Sequence, residues 1–518
     1  MTLAIRSFED GPGSAGASVA ELIWYRSATS SQHVYLRSSD GLESVTYGEL
    51  CQVAACWVDR LDRLGVRPGE TVGLVLSDPV ELAVLFLSTL AGGRTVAPLD
   101  PAATDGELVA GCGRTATRLV ISDRAAPSGG GAEWLTVSPG ESLLGREGSE
   151  SHPAPPPGTG AAGGLVLSTS GTTGVPKVIG LDEAQLLHTG RSVADHFQLS
   201  GSDRGFNPLP LFHINAEVVG LLATLVSGAT LVLDDRFHRH GFWAVMARHR
   251  ITWINAVPAI LARLAGVETG ERVPLGIRFA RSASAPLPVP VLERFEQATG
   301  IPVVETYGMT EAASQITANP FSDCRRPGSV GLPVGTEVRV VSADGAGAHT
   351  GEVGRVGVRG PSVIRAYRSP GYEDRVDPEG WLETGDLGYM DAEGYLFLVG
   401  RADDVINRGG EKFYPREVED AVVGVPGVSS VAIVGREHEV LGQVPVAYLV
   451  VDGVHEEGDG PLAAAVVERV HDRCAQSLSR PKRPVAYHVV EQFPQGATGK
   501  VRRSALADTP AIFSMLVQ

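Results

Sequence analysis

The run Ser168-Thr169-Ser170-Gly171-Thr172-Thr173-Gly174-Val175-Pro176-Lys177 constrains this chain more than any other stretch. It places five hydroxyl side chains, two glycines and a lysine between two apolar runs, Leu165–Leu167 and Val178–Leu181, each of which reads as a strand. A loop of small residues presents backbone N–H groups and hydroxyls without bulk, an arrangement that suits phosphate oxygens. A plain polar turn needs only two or three such residues. The common phosphate loop has its lysine directly after the second glycine and a helix behind it. Here the spacing is Gly171-x-x-Gly174-x-x-Lys177 and a strand follows. The chain is therefore expected to hold nucleotide phosphates in a different fold.

At 518 residues the chain exceeds a single hydrophobic core, so two or more domains are expected. No run of about 18 uncharged apolar residues occurs, which predicts no membrane span. Met1 to Asp10 lacks the apolar stretch of a signal peptide. The five cysteines are scattered, odd in number and without a CxxC pair, as expected of reduced thiols in a cytoplasm. A net charge of −16 with no basic stripe argues against nucleic-acid binding. His238, His240 and His249 lack metal-ligand spacing and read as surface residues.

Helix and strand patterns alternate from Val45 onward. A helix opens at Val45-Thr46-Tyr47 and runs through Leu61 and Leu64; Thr71 to Leu76 reads as a strand, Pro79 to Leu90 as a helix, and Thr95 to Leu99 as a strand. Such alternation predicts α/β architecture with mostly parallel sheets. Pro153 to Gly158 is a linker that delivers the chain to the phosphate loop. Further βα units run to about Gln297, then short strands with Gly-rich turns from Gly331 to Val399 suggest a small β-barrel-like unit. Beyond Arg401, strands at Val428–Val434 and Pro445–Val451 and a helix at Pro461–Leu478 form a separate unit.

Four further segments carry chemistry. In Glu305-Thr306-Tyr307-Gly308-Met309-Thr310-Glu311, Tyr307 can lie against a base, Thr310 can donate to a phosphate oxygen, and Glu311 offers the oxygen ligand that Mg²⁺ prefers. In Thr384-Gly385-Asp386, the carboxylate can accept from both hydroxyls of a ribose, and Gly400-Arg401-Ala402-Asp403-Asp404 follows some 15 residues on. Asn407-Arg408-Gly409-Gly410-Glu411-Lys412 pairs two glycines that allow close approach of a ligand or chain. Phe493 to Lys500 ends in a lysine on a Gly-containing loop, and Arg502 and Arg503 beyond it read as surface residues.

Taken together and in this order, these segments resemble the adenylate-forming superfamily of acyl-CoA synthetases, adenylation enzymes and firefly luciferase, over about Val45 to Lys500. The Asn407–Lys412 pattern is similar to the oxalate-CoA-ligase-type branch, so the two lysines of luciferase-like members have no counterpart at Asn407 and Gly409. The resemblance implies a large N-terminal domain (1–400) of two doubly wound αβαβα-type subdomains plus a β-barrel-like subdomain, and a small mobile α+β C-terminal domain (401–518) hinged at Asp403. It implies that Thr169, Ser170, Gly171, Thr172, Thr173, Gly174 and Lys177 hold the ATP phosphates. Ser284, Ala285, Pro286, Thr306, Tyr307, Gly308, Met309 and Thr310 would contact the nucleotide, Asp386 and Arg401 its ribose, and Glu311 the Mg²⁺. Lys500 would be the catalytic cation, acting with His213 and Thr310. Gly409, Gly410 and Lys412 would border the CoA channel. His213, Asn215 and Ala283 would line the acid pocket, where Ala283 and Ser284 replace the usual glycines and favour a small acid.

The implied reaction joins a carboxylate to AMP, releases pyrophosphate, and passes the acyl group to CoA. Two alternatives share the first half: transfer to a carrier protein in trans, and activation of nitrite to diazotise an aromatic amine.

Overall fold

A computed structural model describes residues 18–143, 163–169, 177–266, 271–322, 324–372, 375–494 and 501–517. Short-range capping sets the helix starts. Thr46 accepts from the Glu49 N–H at 3.1 Å while Glu49 accepts from the Thr46 N–H at 2.7 Å, and the helix Tyr47–Arg63 begins there. The same reciprocal cap starts Val19–Ser30 at Ser18, Asp105–Arg114 at Thr104 and Glu183–His196 at Asp182. Asp78 caps the helix Pro79–Ala91, whose proline loses no hydrogen bond at that position.

Two large sheets organise the N-terminal part. In the nine-stranded one, Val34–Ser38, Thr230–Leu233, Arg204–Asn207, Trp253–Ala256, Phe279–Ser282 and Val303–Met309 run parallel, with Ser314–Ala318 antiparallel beside the last. In the six-stranded one, Glu133–Thr136, Thr117–Ser122, Thr71–Val75, Thr95–Pro98 and Gly164–Thr169 run parallel, and Lys177–Asp182 returns antiparallel to Gly164–Thr169. One core joins the facing sides of both sheets: Leu36 and Leu231 of the first and Val72, Leu74 and Ile121 of the second share it with helix residues Trp57, Leu85, Phe86 and Leu186. The outer face of the first sheet packs on Phe242, Trp243, Leu261 and Phe295, and that of the second on Leu108 and Cys112. The layering is therefore αβαβα, which puts the carboxyl ends of the parallel strands where ligands bind in such sheets.

Glu337–Val341, Gly354–Arg359, Leu382–Met390 and Leu396–Arg401 form a four-stranded antiparallel sheet. After the single turn Ala402–Asp404, the remaining strands build a sheet with its own core of Ile406, Val418, Ile433, Leu449, Val467 and Tyr487. Within the described residues no helix is long and apolar enough to cross a membrane.

Two surface expectations need correction. His249 is 3% exposed, with its Nε2 2.8 Å from the Ser39 carbonyl, because its helix lays that side against the loop before Asp40. His238 and His240 are exposed as expected. Arg503 is a clamp: it donates to Glu419 and to the Ile433 carbonyl, both at 2.6 Å, and lies 3.9 Å from Asp404. Arg502 is exposed.

The segment Asn215–Leu222 is a π-helix, every residue of which is buried. Its Glu217 is fully buried, and neither carboxylate oxygen has a hydrogen-bond partner among the described residues. Burial pushes this carboxyl far above its ordinary range, so it is held neutral. An acid whose folded-state pKa is raised stabilises fully below its unfolded pKa and loses that contribution as pH rises toward the folded value. Glu217→Met, which replaces an unpaired polar group costing about 1–3 kcal/mol, is expected to raise the melting temperature, and by more at pH 8 than at pH 5. Scanning calorimetry checks this; a lower melting temperature at both pH values contradicts it.

Candidate active site

The two large sheets meet at Glu311, in the one-turn helix Thr310–Ala312 that follows the strand Val303–Met309. Lys177, the first residue of the returning strand of the second sheet, places its Nζ 4.0 Å from Glu311 Oε1. Tyr367 donates its hydroxyl to the same oxygen at 3.0 Å. The lysine also lies 4.8 Å from the Tyr372 ring centroid and 5.5 Å from that of Tyr367. Backbone bonds fix this junction: Ile364 N–H to the Glu311 carbonyl at 2.8 Å, and Arg368 N–H to the Val178 carbonyl at 2.9 Å. Burial and the Glu311 carboxylate push the Tyr367 phenol upward, so it remains a donor. One carboxylate beside a lysine fits Mg²⁺ shared with substrate phosphates, because Mg²⁺ takes few protein ligands and keeps phosphate oxygens. Neither tyrosine stood out in the sequence: Pro370-Gly371 marks a turn, but nothing local shows that the flanking tyrosines reach Lys177 or Glu311.

Tyr307 closes the opposite side. Its hydroxyl donates to Asp386 Oδ2 at 2.5 Å, and Arg401 Nη1 lies 3.2 Å from Asp386 Oδ1. Strand register explains the second contact, because Asp386 and Arg401 are direct antiparallel partners. Arg401 Nε is buried without a partner among the described residues. Gly308 has a steric reason: a Cβ there would stand 1.6 Å from the Ser314 carbonyl oxygen, where the strand bulges. Ser284, Ala313 and Ser314 around this turn hold positive φ values of 71°, 51° and 91°, a cluster of unfavoured backbone of the kind found at functional sites. Thr306 Oγ1 donates to the Ser282 carbonyl at 3.1 Å, tying the Ser284–Pro286 loop to the Tyr307 strand. Met309 and Thr310 are half-buried beside it.

A polar network lies next to these groups. Asn215 approaches Ser284 Oγ at 3.4 Å, and its Oδ1 accepts from Arg281 at 2.8 Å. Arg281 also donates to Asn255 at 3.1 Å and Gln315 at 3.2 Å. His213 stacks edge-on against Phe212, and its carbonyl accepts from the Ala216 and Glu217 N–H groups. Ala283 is buried. Arg281 lies two residues before Ala283, and its place among the apolar residues Ile277, Phe279 and Ala280 was the available signal.

Gly409 and Gly410, with φ of 63° and 94°, form the two-residue turn of a hairpin in which Arg408 faces Glu411 and Asn407 faces Lys412. Positive φ at both central positions is what such a turn demands. Gly409, Gly410 and Lys412 are exposed at this tip, and Asp403 is exposed in the preceding turn. Arg416 donates to the Leu398 carbonyl at 2.9 Å, linking the region beyond the turn to the last strand before it. Glu305, buried nearby in the Tyr307 strand, has its carboxyl raised to about 7 by burial, partly offset by the Arg416 charge and the Leu287 N–H. Thr169 is paired through its backbone with Lys177, and Ser168 accepts from Arg114 at 3.0 Å. Ser170, Gly171, Thr172, Thr173, Gly174 and Lys500 lie outside the described residues.

Residues 24–368 match the family model described as AMP-binding enzyme, and residues 417–500 match the AMP-binding enzyme C-terminal domain. The chain is 36% identical over 504 residues to the sulfoacetate–CoA ligase of Cupriavidus necator, covering 94% of this chain and 97% of that protein. It is 33% identical over 474 residues to the oxalate–CoA ligase of Arabidopsis thaliana, covering 86% and 89%. The o-succinylbenzoate CoA synthetase MenE of Bacillus subtilis, solved with the acyl-adenylate OSB-AMP, superposes with a TM-score of 0.79 at 28% identity, covering 95% of this chain and 98% of that one. The chain belongs to the AMP-binding enzyme family.

Proposed function

We propose that this protein is an AMP-forming acid–CoA ligase acting on a small acid. The single observation that carries this reading is that one strand end brings together two clusters: Tyr307 with Asp386 and Arg401, and, four residues on, Glu311 beside Lys177. Similarity over nearly the whole chain to proteins named as CoA ligases supports CoA as acceptor over carrier protein or an aromatic amine. Sulfoacetate and oxalate, the acids in those names, are both small.

In the first half-reaction, Asp386 and Arg401 fix the ribose, Tyr307 and the Ser284–Pro286 loop receive the adenine, and the 169–177 loop with Thr310 holds the phosphates. Glu311 would hold Mg²⁺, which when bound would neutralise phosphate charge. His213, Asn215 and Ala283 border the acid. A carboxylate oxygen attacks the α-phosphorus as the bond to the bridging oxygen of the β-phosphate breaks, and pyrophosphate leaves. Lys500 supplies positive charge where it builds during that exchange. In the second half-reaction the C-terminal domain turns about Asp403 and brings the Gly409–Gly410 hairpin and Lys412 to the acyl-adenylate. The CoA thiolate, its proton lost to solvent, attacks the acyl carbon and AMP departs.

Lys500→Ala is expected to slow adenylate formation at least ~100-fold, the scale of removing one transition-state charge contact, with ATP affinity little changed. Pyrophosphate–ATP exchange and nucleotide titration check it; wild-type exchange contradicts the assignment. Asp403→Pro is expected to spare exchange and to lose thioester formation, because a fixed φ stiffens the pivot. Equal loss of both half-reactions argues against domain alternation.

A further inference from the structure

We propose that Arg281 is the receptor for a second anionic group on the acid, so that the substrates are small dianions: the carboxylate to be adenylated plus a distal carboxylate or sulfonate. This rests on the acid-activating reading above and narrows it to a substrate class.

Arg281 is 1% exposed near the carboxyl end of the parallel strand Phe279–Ser282. Among the described residues its guanidinium donates to the amide oxygens of Asn215 at 2.8 Å, Asn255 at 3.1 Å and Gln315 at 3.2 Å. All three are neutral, and no carboxylate ion-pairs with it among the described residues. The other arginine buried to this degree, Arg94, is treated differently: it meets Asp62 and the carbonyls of Val66 and Gly92. A charge removed from water is costly unless an opposite charge meets it. Burial alone pushes the Arg281 guanidinium down to about 9, the behaviour of a cation that lacks its counter-ion.

A second observation points the same way. Gln315, also 1% exposed, gives its oxygen to Arg281 while its Nε2 has no partner among the described residues. An amide donor left unpaired beside an uncompensated guanidinium forms a donor set for an oxyanion, and a guanidinium fork matches carboxylate or sulfonate oxygens. The location fits the acid. Asn215, the residue bound by Arg281, follows His213 by two positions and reaches Ser284 of the loop assigned to the nucleotide. The network thus stands beside the place where the reacting carboxylate must meet ATP. The Cβ atoms of Ala283 and Ser284, one and two residues past the end of the Arg281 strand, keep that space short.

The test measures pyrophosphate release by the full-length enzyme with ATP and Mg²⁺, comparing sulfoacetate and malonate with propionate and monomethyl malonate. The expected wild-type preference for the dianions is about 30-fold in kcat/KM, the scale of a charge-assisted hydrogen bond. Arg281→Met is expected to remove that preference, lowering kcat/KM for the dianions about 30-fold more than for the monoanions. Gln315→Leu is expected to weaken the preference in the same direction. Release with monoanions alone, or a dianion preference that survives in Arg281→Met, overturns this inference and leaves acid adenylation standing. An equal fall for both classes of acid in the Met variant makes Arg281 a structural residue and also overturns it. No release with any acid overturns the adenylation reading itself. If the Met variant does not fold, the wild-type comparison still tests the substrate class and Gln315→Leu tests the donor set.

Discussion

Everything in the site depends on one junction, where Lys177 from one sheet and Glu311 from the other are held together by Tyr367 and Tyr372. The loop expected to hold phosphates ends at Lys177, and the Tyr307 strand ends at Met309, two residues before Glu311. A 4.0 Å ion pair covered by two aromatic rings therefore fixes the distance between the groups proposed to hold the triphosphate and the nucleoside. Surface pairs contribute little to stability. This one is mostly buried, with side-chain exposures of 16% and 8%, so its charges act through a lower effective dielectric. The Ile364 and Arg368 backbone bonds, one to Glu311 and one to the Lys177 strand, hold the backbone of the junction in place.

Buried polarity gathers near the same strand ends. Arg281, Glu217 and Glu305 are all withdrawn from solvent, and burial moves each toward its neutral form. Their surroundings separate them. Arg281 is ringed by oriented amides, Glu305 has a backbone donor and a nearby arginine, and Glu217 has no hydrogen-bond partner among the described residues. A ring of oriented amide dipoles suits a charge that a ligand completes. A lone carboxyl in a buried π-helix instead marks a segment whose backbone departs from the regular ladder, a feature frequent where proteins bind ligands.

The layered fold was readable in the sequence because each helix and strand carries a local signal. The helix opening at Val45-Thr46-Tyr47, Pro79 at a first turn and the strands expected over 71–76 and 95–99 fell within a residue or two of the observed bounds. Asp386 and Arg401 were paired by motif spacing, and strand register supplies the physical reason. The Gly409–Gly410 pair was read as room for a neighbour, while the structure adds the demand of a tight hairpin. What the sequence did not reveal was long-range: Tyr367 reaching Glu311 across 56 residues, or Arg281 meeting Asn215 across 66. Arg503 and His249 were misread for the same reason, since their partners Glu419 and Ser39 lie 84 and 210 positions away.

The most direct test of the central claim follows an oxygen atom. With the acid's carboxylate labelled with ¹⁸O, attack at the α-phosphorus followed by thioester formation leaves one labelled oxygen in the AMP released, which mass spectrometry detects. One ¹⁸O per AMP, with unlabelled pyrophosphate, is the result expected. Label in inorganic phosphate together with ADP, or unlabelled AMP, contradicts an acyl-adenylate formed at this site.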